Sequence, residues 1–210
     1  MGKGSATRDR ILEIAEASVL AKGFGATSIE EIIAEAGITK SGFFYHFKDK
    51  NELARGLVDR YSGQNDRLLE DVFGRARSLS DDPLQQLLIG LTLMAERMAA
   101  LPGGHPGCMV ASMSYQDRLF DRDVRALVTK VVEDWNAFFR DLIEEIIVIY
   151  PPREPVDPDQ LARTVCCSID GGIVMSKTLG QPAVLPEQML MARNYIKLLF
   201  SPVAAVRQAA

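Results

Sequence analysis

Thr39, Lys40, Ser41, Tyr45, His46, Lys48 and Lys50 lie close together in GITKSGFFYHFKDKNELA, residues 37–54. Ammonium groups, hydroxyls and an imidazole at this density suit the gripping of an anion, because each can donate to a phosphate oxygen. Bond-making chemistry finds less support. The chain has no GxSxG elbow, P-loop, HExxH or nucleotide fingerprint. His105 and Cys108 stand three apart, yet zinc needs three or four ligands and neither a further His nor a CxxC is at hand. Cys108, Cys166 and Cys167 are odd in number, and the adjacent pair is poorly placed to bridge itself. The expectation is a protein with no metal, no cofactor and no catalytic residues.

The elements around this stretch read as short helices. Residues 7–22 repeat apolar side chains at helical spacing, with Ile11, Ile14, Ala15, Val19 and Leu20 near one face, and stop at Gly23. SIEEIIAEAG opens a second helix, since Ser28 and Glu31 stand at capping-box spacing, and Gly37 closes it. Thr39 caps a third, TKSGFFYHF, and Asp49 with Glu52 repeats the capping logic for a fourth that carries Leu53, Leu57 and Tyr61. Helices this short are too weak to stand alone, so they must pack into one unit.

Beyond them Pro and Gly punctuate further helices. Asp82-Pro83 opens one, GCMVASMSYQ forms a shorter segment, and 123–150 makes a long one ended by Pro151-Pro152. Asp157-Pro158 and Pro186 open the last two. No strand alternation and no internal repeat is visible, so the fold class expected is all-α, about nine helices.

The chain has 210 residues, 47% of them hydrophobic and 25% charged, a globular composition. No apolar run approaches the roughly 18 residues of a membrane span, and MGKGSATR lacks an apolar leader core, so a cytoplasmic location is expected. The formal net charge of −4 argues weakly against a nucleic-acid partner. Its distribution matters more: residues 1–60 balance nine basic against nine acidic groups, so the rest of the chain carries the whole deficit.

A helix, a turn at Gly37 and a second helix from Thr39 is the sequence form of a helix-turn-helix. Glycine suits the turn because it takes positive φ without steric cost. The second helix of such a motif enters the major groove, which makes Lys40, Ser41 and Gly42 the expected readers of base edges. Phe43 and Phe47, four apart, can anchor the helix inward while Tyr45 and His46 point polar tips at phosphates.

At these residues the chain resembles the tetracycline-repressor (TetR) family of transcriptional regulators. The resemblance runs from about Thr7 to Leu57. It rests on the first helix closed by Gly23-Phe24, the Thr27-Ser28 start, the IIAEAGITKSG turn, the YHF run and Lys50-x-Glu52-Leu53. It implies an all-helical homodimer, with residues 1–52 as the head that binds double-stranded DNA and 53–210 as a ligand-binding and dimerisation body. Most such proteins repress transcription until a small-molecule effector moves the heads apart. Carried over, phosphate contacts fall on Thr27, Tyr45, His46 and Lys50, with Lys48 beside them, and base readers on Lys40, Ser41, Gly42 and Phe43. One departure is Phe44, where the family usually has a phosphate-binding tyrosine: either Tyr45 takes over that contact or Phe44 simply packs.

In the body, Met94, Met98, Met109, Met113 and Met175 with Trp135, Phe138 and Phe139 are candidates to line an apolar effector pocket, and equally candidates for plain core. Asp170 is the candidate to orient a polar ligand group. Gly171, Gly172 and Ser176 permit close helix approach, and Met189, Arg193, Ile196 and Phe200 form a stripe, so the last two helices are expected to build a two-fold four-helix interface. A monomeric bundle burying that stripe is the alternative. Two further readings stay open: a DNA-binding regulator without an effector, and an enzyme acting on an apolar substrate in the body.

Overall fold

The structure, a computed structural model, describes residues 3–201. These form nine α-helices and one 3₁₀ turn, with no strand among the described residues. The order is α1 (Lys3–Lys22), α2 (Ile29–Ala36), α3 (Lys40–His46), α4 (Lys50–Leu79), α5 (Pro83–Ala99), α6 (Met109–Ser114), the 3₁₀ turn (Asp117–Leu119), α7 (Arg122–Ile149), α8 (Pro158–Leu179) and α9 (Val184–Phe200). The all-α expectation holds. Among the described residues, no helix is long and apolar enough to cross a membrane.

Local chemistry sets the boundaries. Ser28 Oγ accepts from the Glu31 N–H at 3.1 Å while Glu31 Oε2 accepts from the Ser28 N–H at 3.3 Å, a complete capping box for α2. Gly37 ends that helix at φ 65°, a left-handed conformation that side chains resist. Thr39 caps α3 by accepting from the Gly42 N–H at 3.1 Å. The box expected at Asp49 is half-made: Asp49 accepts from Glu52 N–H, but the Glu52 carboxylate reaches one residue further back, to the Lys48 N–H at 2.7 Å.

Two boundaries differ from expectation. α1 begins before Thr7, at Lys3, and α9 begins at Val184, two residues before Pro186. Proline is tolerated there because amides in a helix's first turn have no intrahelical acceptor to lose.

The chain forms two compact units. The first runs to Leu68 and includes Pro106–Asp134; the second takes Leu69–His105 and the chain from Trp135 onward. α4 runs unbroken through residues 52 and 53. The first unit buries Ile11, Leu12, Ala15 and Val19 of α1 with Phe24, Ile32, Phe43, Phe47, Leu53 and Leu57. In the second, Phe73 meets Phe138 and Phe139 edge to face at 4.8 and 5.9 Å. Gly90 makes that possible, since a Cβ there would lie 2.2 Å from the Phe73 ring.

α9 packs on α5 and α8, and this revises the expected interface. Met189, Ile196 and Phe200 are buried inside the second unit, as are Gly172 and Ser176. A Cβ on Gly172 would meet Leu185 at 3.1 Å, so this glycine lets α8 approach α9 within one chain. Arg193 is half-buried, with its Nε lacking an acceptor. The face left open carries Gly171, Val174, Met175 and Leu179 on α8 and Met191, Tyr195 and Leu198 on α9.

Candidate nucleic-acid interface

α3 is held from beneath. Phe43 and Phe47 are both 0% exposed, and their rings lie 5.7 Å apart. With that face turned inward, a 3.6-residue period turns Ser41 and Tyr45 outward. Tyr45 is 82% exposed, and Lys40, Ser41 and Lys48 are exposed as well. The Tyr45 ring meets the half-buried His46 edge to face at 5.0 Å.

Two of the expected contacts fail on burial. Phe43 is fully enclosed and offers nothing to a base edge, because the same spacing that makes it an anchor turns it away from the surface. Thr27 is 1% exposed, and its hydroxyl donates to the Gly23 carbonyl at 3.0 Å with Ser18 Oγ also 3.0 Å away. It closes the α1–α2 turn instead of facing outward.

Others sit in more constrained settings than a solvated surface. Lys50 Nζ lies 4.9 Å from the centroid of the Phe24 ring, and burial pushes its ammonium pKa down. Ser41 Oγ shares a hydrogen bond of 3.0 Å with the capping Thr39 hydroxyl. At Gly42 a Cβ would come within 3.3 Å of that same hydroxyl, so the missing side chain spares the cap.

The first unit also braces this head from residues far along the chain. Gln116 Oε1 accepts from the Gly25 N–H at 2.8 Å, and Asn51 Oδ1 accepts from the Asp121 N–H at 3.2 Å. Arg55 pairs with Asp121 at 2.8 Å. Asp121 also caps α7 by accepting from the Val124 N–H, and those two bonds hold its carboxyl below the usual range. Nothing in local spacing announces these partners: Gln116 and Gly25 are 91 residues apart.

The candidate ligand residues divide between the units. Met109 and Met113 are buried in the first; Met94, Met98 and Phe139 are buried in the second, with Trp135 and Phe138 half-buried. The Trp135 Nε1 is enclosed without an acceptor. Met175 lies on the exposed side of α8, which takes it out of the apolar lining expected of it, and Asp170, the candidate to orient a polar ligand group, is exposed on the same helix. No group of three or more metal-ligating side chains occurs among the described residues.

Comparison with known proteins places this arrangement. The family described as bacterial regulatory proteins, tetR family, matches residues 11–57, from within α1 into the start of α4. The transcriptional regulator AcuR of Cereibacter sphaeroides is 29% identical over 156 residues, covering 74% of this chain and 69% of AcuR. The transcriptional repressor DhaR of Mycobacterium sp. is 23% identical over 170 residues, covering 81% and 82% of the two chains. A solved TetR-family regulator from Agrobacterium tumefaciens covers 95% of this chain and 100% of its own with a TM-score of 0.77; at 18% identity that likeness concerns the fold. These relatives are regulators and not enzymes. The head sequence over residues 11–57, its helix-turn-helix geometry and the all-α architecture agree with them, and together they support a DNA-binding transcriptional regulator of the TetR family.

Proposed function

We propose that this regulator acts as a homodimeric repressor, placing α3 of each copy in the major groove of a palindromic operator and leaving it when a small molecule binds the body. The observation that carries the reading is the outer face of α3, where Lys40, Ser41 and Tyr45 are exposed on a helix clamped by two buried phenyl rings. A rigidly seated helix can present donors at fixed positions, which base readout requires. Lys40, Ser41 and Gly42 then meet base edges, while Tyr45, His46, Lys48 and Lys50 meet phosphates. Residues 1–52 form the DNA-binding piece, and 53–210 carry ligand binding and dimerisation.

The second copy is supported by the open faces of α8 and α9. Met191, Tyr195 and Leu198 fall at helical spacing and are 61%, 51% and 62% exposed, beside Val174, Met175 and Leu179 of α8. Two-fold pairing covers such a stripe with its own copy. An effector is supported by the enclosed Trp135 indole N–H, which an acceptor on a small molecule would satisfy. The repressive sign follows the name of the relative DhaR.

The test is selection of bound duplexes from a random library by the purified protein at stated, near-physiological salt. A two-fold symmetric site with half-sites a whole number of helical turns apart supports the reading. A folded, dimeric protein that enriches no sequence sinks it. Small molecules are then screened for release of the selected duplex, and a complete failure of release by ligands that demonstrably bind the body removes the effector clause.

A further inference from the structure

Phe44 takes no part in that grip, and its position is unusual for its chemistry. Its phenyl ring is 40% exposed on α3, although large aromatic side chains without a polar atom are mostly withdrawn from water. It cannot turn inward, because Phe43 and Phe47 fill the space beneath the helix. The Phe43 ring meets it edge to face at 5.5 Å and 86°, which holds one side of Phe44 and leaves the other open. Lys40 and Ser41, one turn earlier, and Tyr45 and Lys48 beyond are all exposed. The ring is therefore an apolar island on a surface of ammonium and hydroxyl groups.

A phenyl group has no donor for a phosphate oxygen. In the major groove, the apolar feature that a base pair presents is the C5-methyl of thymine, and contact with it carries sequence information that phosphate contact does not. We infer that Phe44 reads the C5-methyl group of one thymine in each half-site, a specificity contact in place of a backbone contact. This rests on the DNA-binding reading of α3 given above.

The test replaces each thymine of the selected duplex in turn by deoxyuridine, which removes the methyl and keeps the base pair. Affinities of the full-length protein are measured at fixed salt. One thymine per half-site is expected to matter: losing its methyl weakens wild-type binding about fourfold, and losing both symmetric methyls about fifteenfold, as for one buried carbon group each. Phe44→Ala binds the thymine and uridine duplexes alike, whereas Phe44→Tyr, which keeps the ring, retains the preference. Should Phe44→Ala bind too weakly, lower salt restores measurable affinity, and the thymine-to-uridine ratio is still what is read. A wild-type protein indifferent to every uridine, or a Phe44→Ala variant with the wild-type penalty, overturns the inference while selective DNA binding stands. If no duplex is enriched in the first place, the reading of α3 has failed and this one falls with it.

Discussion

α3 and the α8–α9 pair solve the same packing problem with opposite materials. α3 is seated by large side chains, Phe43 and Phe47, and turns outward a polar, cationic surface. α8 and α9 are brought together by the absence of a side chain at Gly172, and what they turn outward is apolar: Val174, Met175, Leu179, Met191, Tyr195 and Leu198. One outer face calls for a polyanion and the other for a carbon-rich partner. A single chain leaves both faces open, so the partner of each follows from the chemistry of its outer surface and not from how its inner surface packs.

The sharpest break in this comparison is Phe43→Ala. Removing a fully enclosed phenyl ring from beneath α3 costs about 3–5 kcal/mol, read as a drop in the urea midpoint, and abolishes DNA binding because the helix loses its seat. A loss much below about 1 kcal/mol would mean that the caps alone hold α3.

Next in size is a pair of adjacent glycines. Gly172→Leu forces a side chain into Leu185, whose atoms already stand 3.1 and 3.2 Å from a Cβ there, and costs about 1–3 kcal/mol of stability. Gly171→Leu meets nothing within 4 Å in the chain. It leaves the fold intact and weakens self-association, which sedimentation over a range of concentrations detects. Equal destabilisation by both, with no change in association, would remove Gly171 from any interface between copies.

Those glycines also show why the sequence was legible in one region and less so in the other. The head announces itself through local rules: Ser28 and Glu31 at capping-box spacing, Gly37 at a turn that needs positive φ, and two phenylalanines four apart define orientation within a few residues. α8 and α9 carry apolar residues on more than one face, so periodicity identifies the helices without saying which face goes inward. Met189, Ile196 and Phe200 looked like an interface stripe for that reason and are core. Phe43 and Thr27 were misplaced at finer scale, because a resemblance transfers a position but not its exposure. The 3₁₀ turn and its Gln116 bond to the head lay beyond reach, since three residues have no period and the contact spans 91 residues.

A smaller effect separates the cap from the aromatic clamp within α3 itself. Thr39→Ala removes the acceptor of the Gly42 N–H and costs about 1 kcal/mol, felt locally as faster amide exchange at the start of α3. Global unfolding with no local change in exchange would assign the hydroxyl a wider role, through its bond to Ser41.

The smallest expected effect is a pH dependence in the head. Glu31 accepts from Lys22 Nζ at 2.5 Å and from the Ser28 N–H, and these bonds hold its carboxyl below the usual glutamate value of 4.5. In the window between the lowered folded value and 4.5 the unfolded chain binds more protons, so stability rises with pH there; the contribution is complete above 4.5 and is lost as pH falls through the folded value. The pair is exposed, which keeps the effect small and makes it weaken with salt. Melting curves at pH 6 and pH 3.5 read it: Glu31→Gln is expected to lower the midpoint at pH 6 and to narrow the difference between the two conditions. An unchanged pH response in that variant would reassign the acid sensitivity of the head to other carboxylates, with Asp121 and its bonds to Arg55 and the α7 amides the next to be tested.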